Sequence, residues 1–359
     1  MKLNKPLILT GFFLSFLCLI LPQSSVSQST GVNLLIKING DVKIKREKWK
    51  GFQKATVGAL LSPNDLLQVG NNASATLLCS NTQKWQATSS KQFRVSEGCP
   101  RGLVSRSRNT TRSATRGDNE KIPYIISPRN TTILTNRPLL QWNKVPGATR
   151  YTVKLEGSGL DWQTETTNTE ILYPGEPILQ PGGYYRLVVT TEDPKVSSKD
   201  EQGANLSFNI LDKAKVESIN AEVAKIKQQE LTPEAEKLAI AYLYETSGLK
   251  ADAITILSEL VAQKTQTMAG YKLLGDLYLQ VGLNKQAKEA YLQSLELAEK
   301  SGDLEGQAES QFGLGEANYG LTGKDKALEC LKKAQQSYLA LGDESKVQEV
   351  ENRIKQINK

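Results

Sequence analysis

Histidine is absent from all 359 residues. That removes Ser-His-Asp and Cys-His nucleophilic catalysis and every metal site that needs an imidazole. The four cysteines, Cys18, Cys79, Cys99 and Cys330, lack the short paired spacings of a zinc site. Gly313, Gly315 and Gly320 have the wrong spacing for a dinucleotide loop and fall inside a helical pattern rather than after a strand. Carboxylates are plentiful, but nothing in their order along the chain gathers a pair into a cleft. The expectation is a non-enzymatic protein with no catalytic residue, no metal and no cofactor. Long apolar runs are equally scarce. The run from Leu7 to Leu21 is shorter than the about 20 residues a helix needs to cross a bilayer. Lys2 and Lys5 precede it and Ser25 and Ser27 follow it, so residues 1–27 read as a cleaved secretory signal, the alternative being an uncleaved anchor. Leu17 stands where a lipoprotein site at Cys18 would need a small residue.

Export implies oxidising surroundings, in which cysteines are paired or buried. Cys79 and Cys99 lie in one β-rich stretch and are expected to bond, which in the chain-entropy account is worth roughly 3 kcal/mol. Cys330 falls in a helical pattern and reads as a small buried apolar residue. The net charge of +7 is uneven: +6 over residues 31–99, +4 over 100–121, −1 over 122–211 and −4 over 212–359. The basic end is therefore the start of the mature chain.

The C-terminal third repeats itself. Ala241, Tyr244, Gly248, Ala253 and Leu257 recur 34 residues later as Gly275, Tyr278, Gly282, Ala287 and Tyr291, and again as Gly315, Ala327, Leu331 and Ala334. Small residues at fixed offsets mark places where two helix backbones approach closely, and a unit that cannot bury its own apolar face must be stacked. The pattern resembles the tetratricopeptide repeat, with units at about 234–267, 268–307 and 308–341. Lys237 stands where that family has an early aromatic, and Asn318 where Tyr is usual. A preceding helix within 213–230 carries Val216, Ile219, Val223 and Ile226, and Thr232-Pro233 supplies the N-cap and first-turn proline of the next. A capping helix over 344–358 carries Val347, Val350, Ile354 and Ile357.

Two β-rich stretches come first. In "NLLIKINGDVKIK", Ile36, Ile38, Val42 and Ile44 alternate with Lys37, Lys43 and Lys45 around Asn39-Gly40, which predicts a hairpin with one wet face. With "NDLLQVG" and the strand before Cys79, residues 31–99 resemble the FecR-type β domain of bacterial envelope proteins. Residues 100–122, rich in Arg, Ser and Thr, read as a basic linker. Across 123–211, Leu140 and Trp142, then Tyr151, Val153 and Leu155, then Tyr185, Leu187 and Val189 alternate inward, and the set resembles the fibronectin type III sandwich. The expected fold is thus multidomain, β then α, with residues 212–359 an α-solenoid. The whole order resembles exported proteins of cyanobacterial envelopes.

The tetratricopeptide resemblance implies a concave groove lined by the first helix of each unit. Its positions here are Leu238, Tyr242 and Glu245, then Lys272, Asp276, Leu279 and Gln280, then Glu309, Phe312, Glu316 and Tyr319. Four acids against one lysine imply a protein partner with a basic or aromatic segment, the plain alternative being a spacer. Lys43, Lys45, Arg46, Lys48, Trp49 and Lys50 form a second candidate, a patch for acidic envelope polysaccharide or lipid head groups rather than nucleic acid, the plain alternative being the wet face of the hairpin. The expected role is an extracytoplasmic, periplasmic or envelope-associated adaptor. The other reading is an envelope sensor acting through the FecR-like region.

Overall fold

The computed structural model describes residues 32–88, 91–100, 119–201 and 205–359. The expected signal segment, Cys18 and most of the expected linker, Arg101 to Arg116 included, lie outside these residues.

The first module is built from β1 (Asn33–Asn39), β2 (Val42–Lys45), β3 (Gln53–Lys54), β4 (Leu60–Leu61), β5 (Leu66–Val69), β6 (Ser74–Leu78), β7 (Lys84–Thr88), β8 (Gln92–Arg94) and the single-turn α1 (Val95–Gly98). They form two four-stranded sheets, β4-β1-β6-β7 and β3-β2-β5-β8. The expected hairpin is therefore corrected: β1 and β2 do not pair with one another but belong to different sheets. Gly40, at φ +73°, turns a corner between the sheets instead of closing a ladder. A Cβ there would stand 2.9 Å from the Ala73 methyl, so the corner also requires close packing. Leu35, Val42, Ile44, Leu67 and Leu77 fill the space between the sheets. Cys79 and Cys99 are bonded, Cα to Cα 5.2 Å, tying the end of β6 to the end of α1.

The second module is a sandwich of β9 (Ile125–Ser127), β10 (Thr131–Ile133), β11 (Leu139–Trp142), β12 (Tyr151–Gly157), β13 (Leu160–Thr166), β14 (Glu170–Leu172), β15 (Tyr184–Thr191) and β16 (Ser207–Ile210). Its sheets run β14-β11-β9 and β10-β16-β15-β12-β13. Every inward position expected from alternation is buried: Leu140, Trp142, Tyr151, Val153, Leu155, Tyr185, Leu187 and Val189. Arg129 is also buried and pairs with Glu201 at 2.9 Å inside this module.

The solenoid comprises α2 (Lys213–Lys227), α3 (Pro233–Thr246), α4 (Lys250–Ala262), α5 (Met268–Val281), α6 (Asn284–Ser301), α7 (Leu304–Thr322), α8 (Lys324–Leu341) and α9 (Glu344–Asn358). Thr232 caps α3 by accepting from the Ala235 N–H, with Pro233 in the first turn. Gly282, Gly302 and Gly342 end their helices in the left-handed region.

The β modules grip the solenoid along its two opposite edges. The inter-repeat edge, where α3, α5 and α7 begin, meets the first module. There a Cβ on Gly58 would lie 2.5 Å from the Ala269 methyl, Thr56 donates to Asp303, and the Lys50 N–H donates to the Leu341 carbonyl. The turns within repeats, where α3 and α5 end, meet the sandwich. There the Thr132 N–H donates to Gly248, Asn130 to the Gln280 carbonyl, and Lys250 to the Asn130 carbonyl. Tyr124 packs with Val281 and Leu283 at the same edge, and Glu120 pairs with Lys285 at 2.6 Å.

Candidate functional site

The repeat spacing has a direct steric reading. Tyr291 of α6 is fully buried, and a Cβ on Gly275 or Gly313 would approach its ring to 2.9 or 2.3 Å. The two glycines are the slot that receives one ring. Gly315 does the same for Leu331, at 2.8 Å. The Tyr291 hydroxyl then emerges between the first helices and donates to Asp276 Oδ1 at 2.6 Å. Close packing of the second helix thus fixes a carboxylate on the concave side.

Around Asp276 the side chains form a network. Lys272 Nζ lies 3.0 Å from Asp276 Oδ2 and 3.3 Å from Glu309 Oε2. Burial alone would depress the Lys272 ammonium, but Asp276 and Glu309 outweigh it and hold its pKa well above the usual value. Burial, reinforced by Asp276, pushes the Tyr291 phenol well up, and burial likewise raises Tyr242, so both stay protonated donors. Further along, Glu316 receives Arg353 Nε at 2.6 Å and Nη2 at 3.0 Å, and the guanidinium lies 4.9 Å from the centre of the Tyr319 ring.

The expected groove residues separate into four groups. Tyr242, Lys272, Asp276, Glu309, Glu316 and Tyr319 come together as one polar strip across α3, α5, α7 and α9, with Tyr319 the most open at 44% exposure. Leu238 is taken out of the groove: at 2% exposure it lies beneath Gly58 and Leu34 of the first module. Leu279 packs between α5 and α7 with Leu314, and Phe312 packs against the core shared by the first module, α8 and α9. Glu245 and Gln280 lie where α3 and α5 run into the sandwich edge, the Gln280 carbonyl accepting from Asn130.

The expected charge balance is corrected as well. Arg353 was missing from the sequence reading, and it neutralises Glu316, which is only 7% exposed. The signal was present: Arg353 follows Val350 by three residues and precedes Ile357 by four, placing a guanidinium on the buried stripe of α9, where a partner is required.

In the basic patch, Arg46 and Trp49 are buried rather than displayed. Arg46 donates to Asp65 at 2.6 Å, to Glu305 at 2.6 Å and to the Leu60 carbonyl at 2.6 Å, and stacks on Trp49. It therefore holds the first module to α7. Lys50 follows it to the Gly342 turn, and Lys48 is exposed. Lys43 and Lys45 point outward from β2. Among the described residues, no three or more Cys, Asp or Glu are placed to hold a metal ion, and no helix is long and apolar enough to cross a membrane. Cys330 is half-buried, accepts from Asn318 at 3.6 Å, and burial raises its thiol pKa.

No curated protein matches this chain. Among solved structures, MamA is 19% identical, with 39% of this chain and 86% of that one covered and a TM-score of 0.29. The TPR-like repeats of a Podosopora anserina kinesin light chain are 20% identical, with 40% and 85% covered and a TM-score of 0.30. Residues 266–340 match the tetratricopeptide repeat family, and the C-terminal region of this chain is a tetratricopeptide-repeat domain behind a β-rich N-terminal region.

Proposed function

We propose that the chain is a non-enzymatic extracytoplasmic adaptor that holds a segment of a protein partner in the concave strip of its repeats. The observation that carries this reading is the placement of the strip. Both edges of the solenoid are covered by β modules, while Lys272, Asp276, Glu309 and Tyr319 are left partly open between them. Asp276 and Glu309 share one ammonium, so the strip retains negative charge and suits a basic segment. Tyr319, already stacked by Arg353, offers an aromatic surface of the kind that dominates binding energy at interfaces.

The three- and five-stranded sheets of the sandwich, and the Tyr185 hydroxyl accepting from the Gln180 N–H five residues upstream, support a fibronectin type III-like assignment. The order of turns and strands in the first module supports a FecR-like one. The Cys79–Cys99 bond supports an exported protein of the cell envelope.

A pull-down from envelope extract tests the adaptor reading, using the full chain and its Glu309→Lys/Tyr319→Ala variant. The expected result is one set of proteins retained by the parent and lost by the variant, with thermal unfolding of the two unchanged. Identical capture by both would remove the strip as the site.

A further inference from the structure

Leu34, Ile36, Leu60 and Leu78 of the sheet β4-β1-β6-β7 meet the repeats, whereas the sheet β3-β2-β5-β8 touches the solenoid through the segment after β2, where Arg46 and Lys50 meet α7 and the Gly342 turn, and leaves its outer face free of these contacts. Its inner face, with Val42, Ile44, Leu67 and Val69, is closed into the module's core. The composition of its outer face follows from the register. Lys43 stands opposite Lys54 and Gln68, and Gln68 opposite Gln92, while Lys45 stands opposite Leu66 and Leu66 opposite Arg94. Directly opposed residues share a face, as do residues two apart on a strand. Lys43, Lys45, Lys54 and Arg94 therefore occupy one surface, Lys43 and Lys54 about 5 Å apart on adjacent strands, Lys43 and Lys45 about 7 Å apart along β2, and Arg94 about 10 Å from Lys45 across β5. The amides of Gln68 and Gln92 stand among them.

This charge is uncompensated by design of the register. On the solenoid, several surface lysines are matched one turn away, as in Lys300–Glu296, Lys333–Glu329 and Lys346–Glu349. On the β face, among the described residues, the carboxylate in an ion pair with these four cations is Asp41 at the entry to β2, 3.7 Å from Lys43, and Glu97 accepts from the Arg94 backbone N–H at 2.8 Å. Lys43 and Lys54 are directly opposed like charges, an arrangement that costs the sheet stability. A surface that is unfavourable in the free protein becomes favourable when an anion covers it.

We propose that this sheet face binds an acidic polysaccharide, an extended chain with a carboxylate on successive sugars. The spacing of Lys43 and Lys54 is comparable with one pyranose unit and that of Lys45 and Arg94 with two, and the Gln68 and Gln92 amides both donate and accept, as sugar hydroxyls require. A bilayer surface would call for apolar or aromatic side chains at the rim to enter the interface. Here Leu66 at the centre of the face and Phe52, two residues before Lys54, are both half-buried, and Trp49 is sealed in the core. The site shares no residue with the concave strip.

The test is affinity electrophoresis of the full chain in gels containing polygalacturonate. Retardation of the parent is expected, weakening with added salt. Lys43→Gln/Lys45→Gln/Lys54→Gln/Arg94→Gln should weaken the apparent Kd at least tenfold. Because the Arg94 guanidinium also donates to the Asn64 carbonyl, the triple lysine variant serves as a second reading, with at least fivefold weakening and an unchanged melting temperature. Lys324→Gln/Lys326→Gln/Lys332→Gln/Lys355→Gln, which removes the same charge from the exposed surface of the solenoid, should bind like the parent, as should Glu309→Lys/Tyr319→Ala. The proposal is overturned by an unretarded parent, by equal weakening in the solenoid control, by unchanged affinity in the folded triple variant, or by tighter binding to phosphatidylglycerol vesicles or duplex DNA than to polygalacturonate.

Discussion

Tyr291 shows how much one residue of a repeat is asked to do. Its ring fills the slot left by Gly275 and Gly313, and its hydroxyl orients Asp276. Gly313→Ala would place a methyl 2.3 Å from that ring and should destabilise the solenoid by about 1–3 kcal/mol, as overpacking does, read as a lower midpoint in urea unfolding. Glu316 behaves differently from an open groove acid. Glu316→Gln leaves Arg353 buried without its counter-charge and should cost about 3–5 kcal/mol, so charge reversal there unfolds the array rather than testing a binding face. The small-residue slots were legible because close approach allows only Gly or Ala. The Glu316–Arg353 pairing was not, because the two residues are 37 apart and only stacking of α9 on α7 brings them together.

At the scale of elements, local alternation identified strands better than it identified their partners. Asn39-Gly40 has the chemistry of a tight turn, and the chain does turn there. The hairpin failed because both faces of β1 are apolar at its start. Leu35 faces the core of the first module while Leu34 and Ile36 face the repeats, so β1 has to lie in the sheet that touches the solenoid. Along α9 the periodicity is helical, and Val347, Val350, Ile354 and Ile357 all pack inward. Docking of the sandwich on α4 carries a pH dependence. Asp252 accepts from the Leu134 N–H, and burial pushes its carboxyl up to about 6, the hydrogen bond opposing that rise. A carboxyl whose pKa is higher folded than unfolded binds more protons in the native state, so stability falls as pH rises from about 4 through 6 and is flat above. The change should be on the order of 2 kcal/mol after partial solvent screening. Asp303, raised by burial at the other edge, acts in the same direction. Asp252→Asn should flatten the profile across that window and stabilise the chain at pH 7, as read by thermal unfolding at a series of pH values. A profile for Asp252→Asn that matches the parent would place the dependence elsewhere.

For the whole molecule, the three-part order of modules was visible in composition and periodicity, whereas their mutual arrangement was not. Nothing local in "VKIKREKWK" distinguishes Arg46 from its lysine neighbours except the choice of arginine. A planar guanidinium that can serve Asp65, Glu305 and the Leu60 carbonyl at once is what a buried junction requires. Arg46→Met should cost about 3–5 kcal/mol by leaving two carboxylates without their cation. Hydrogen exchange should localise the effect, with faster exchange in β4 and the first turn of α7 and unchanged exchange in the β9–β16 sandwich.

In the proposed adaptor, the concave strip left between the two clamped edges of the solenoid is the surface that holds the partner. The most direct measurement is site-specific photo-crosslinking in intact envelopes, with benzoylphenylalanine at Tyr319 in the strip or at Leu339, which is exposed on the outer helix α8. The account predicts a discrete adduct to a second protein from position 319 and none from position 339. An adduct from 339 with none from 319 would contradict it.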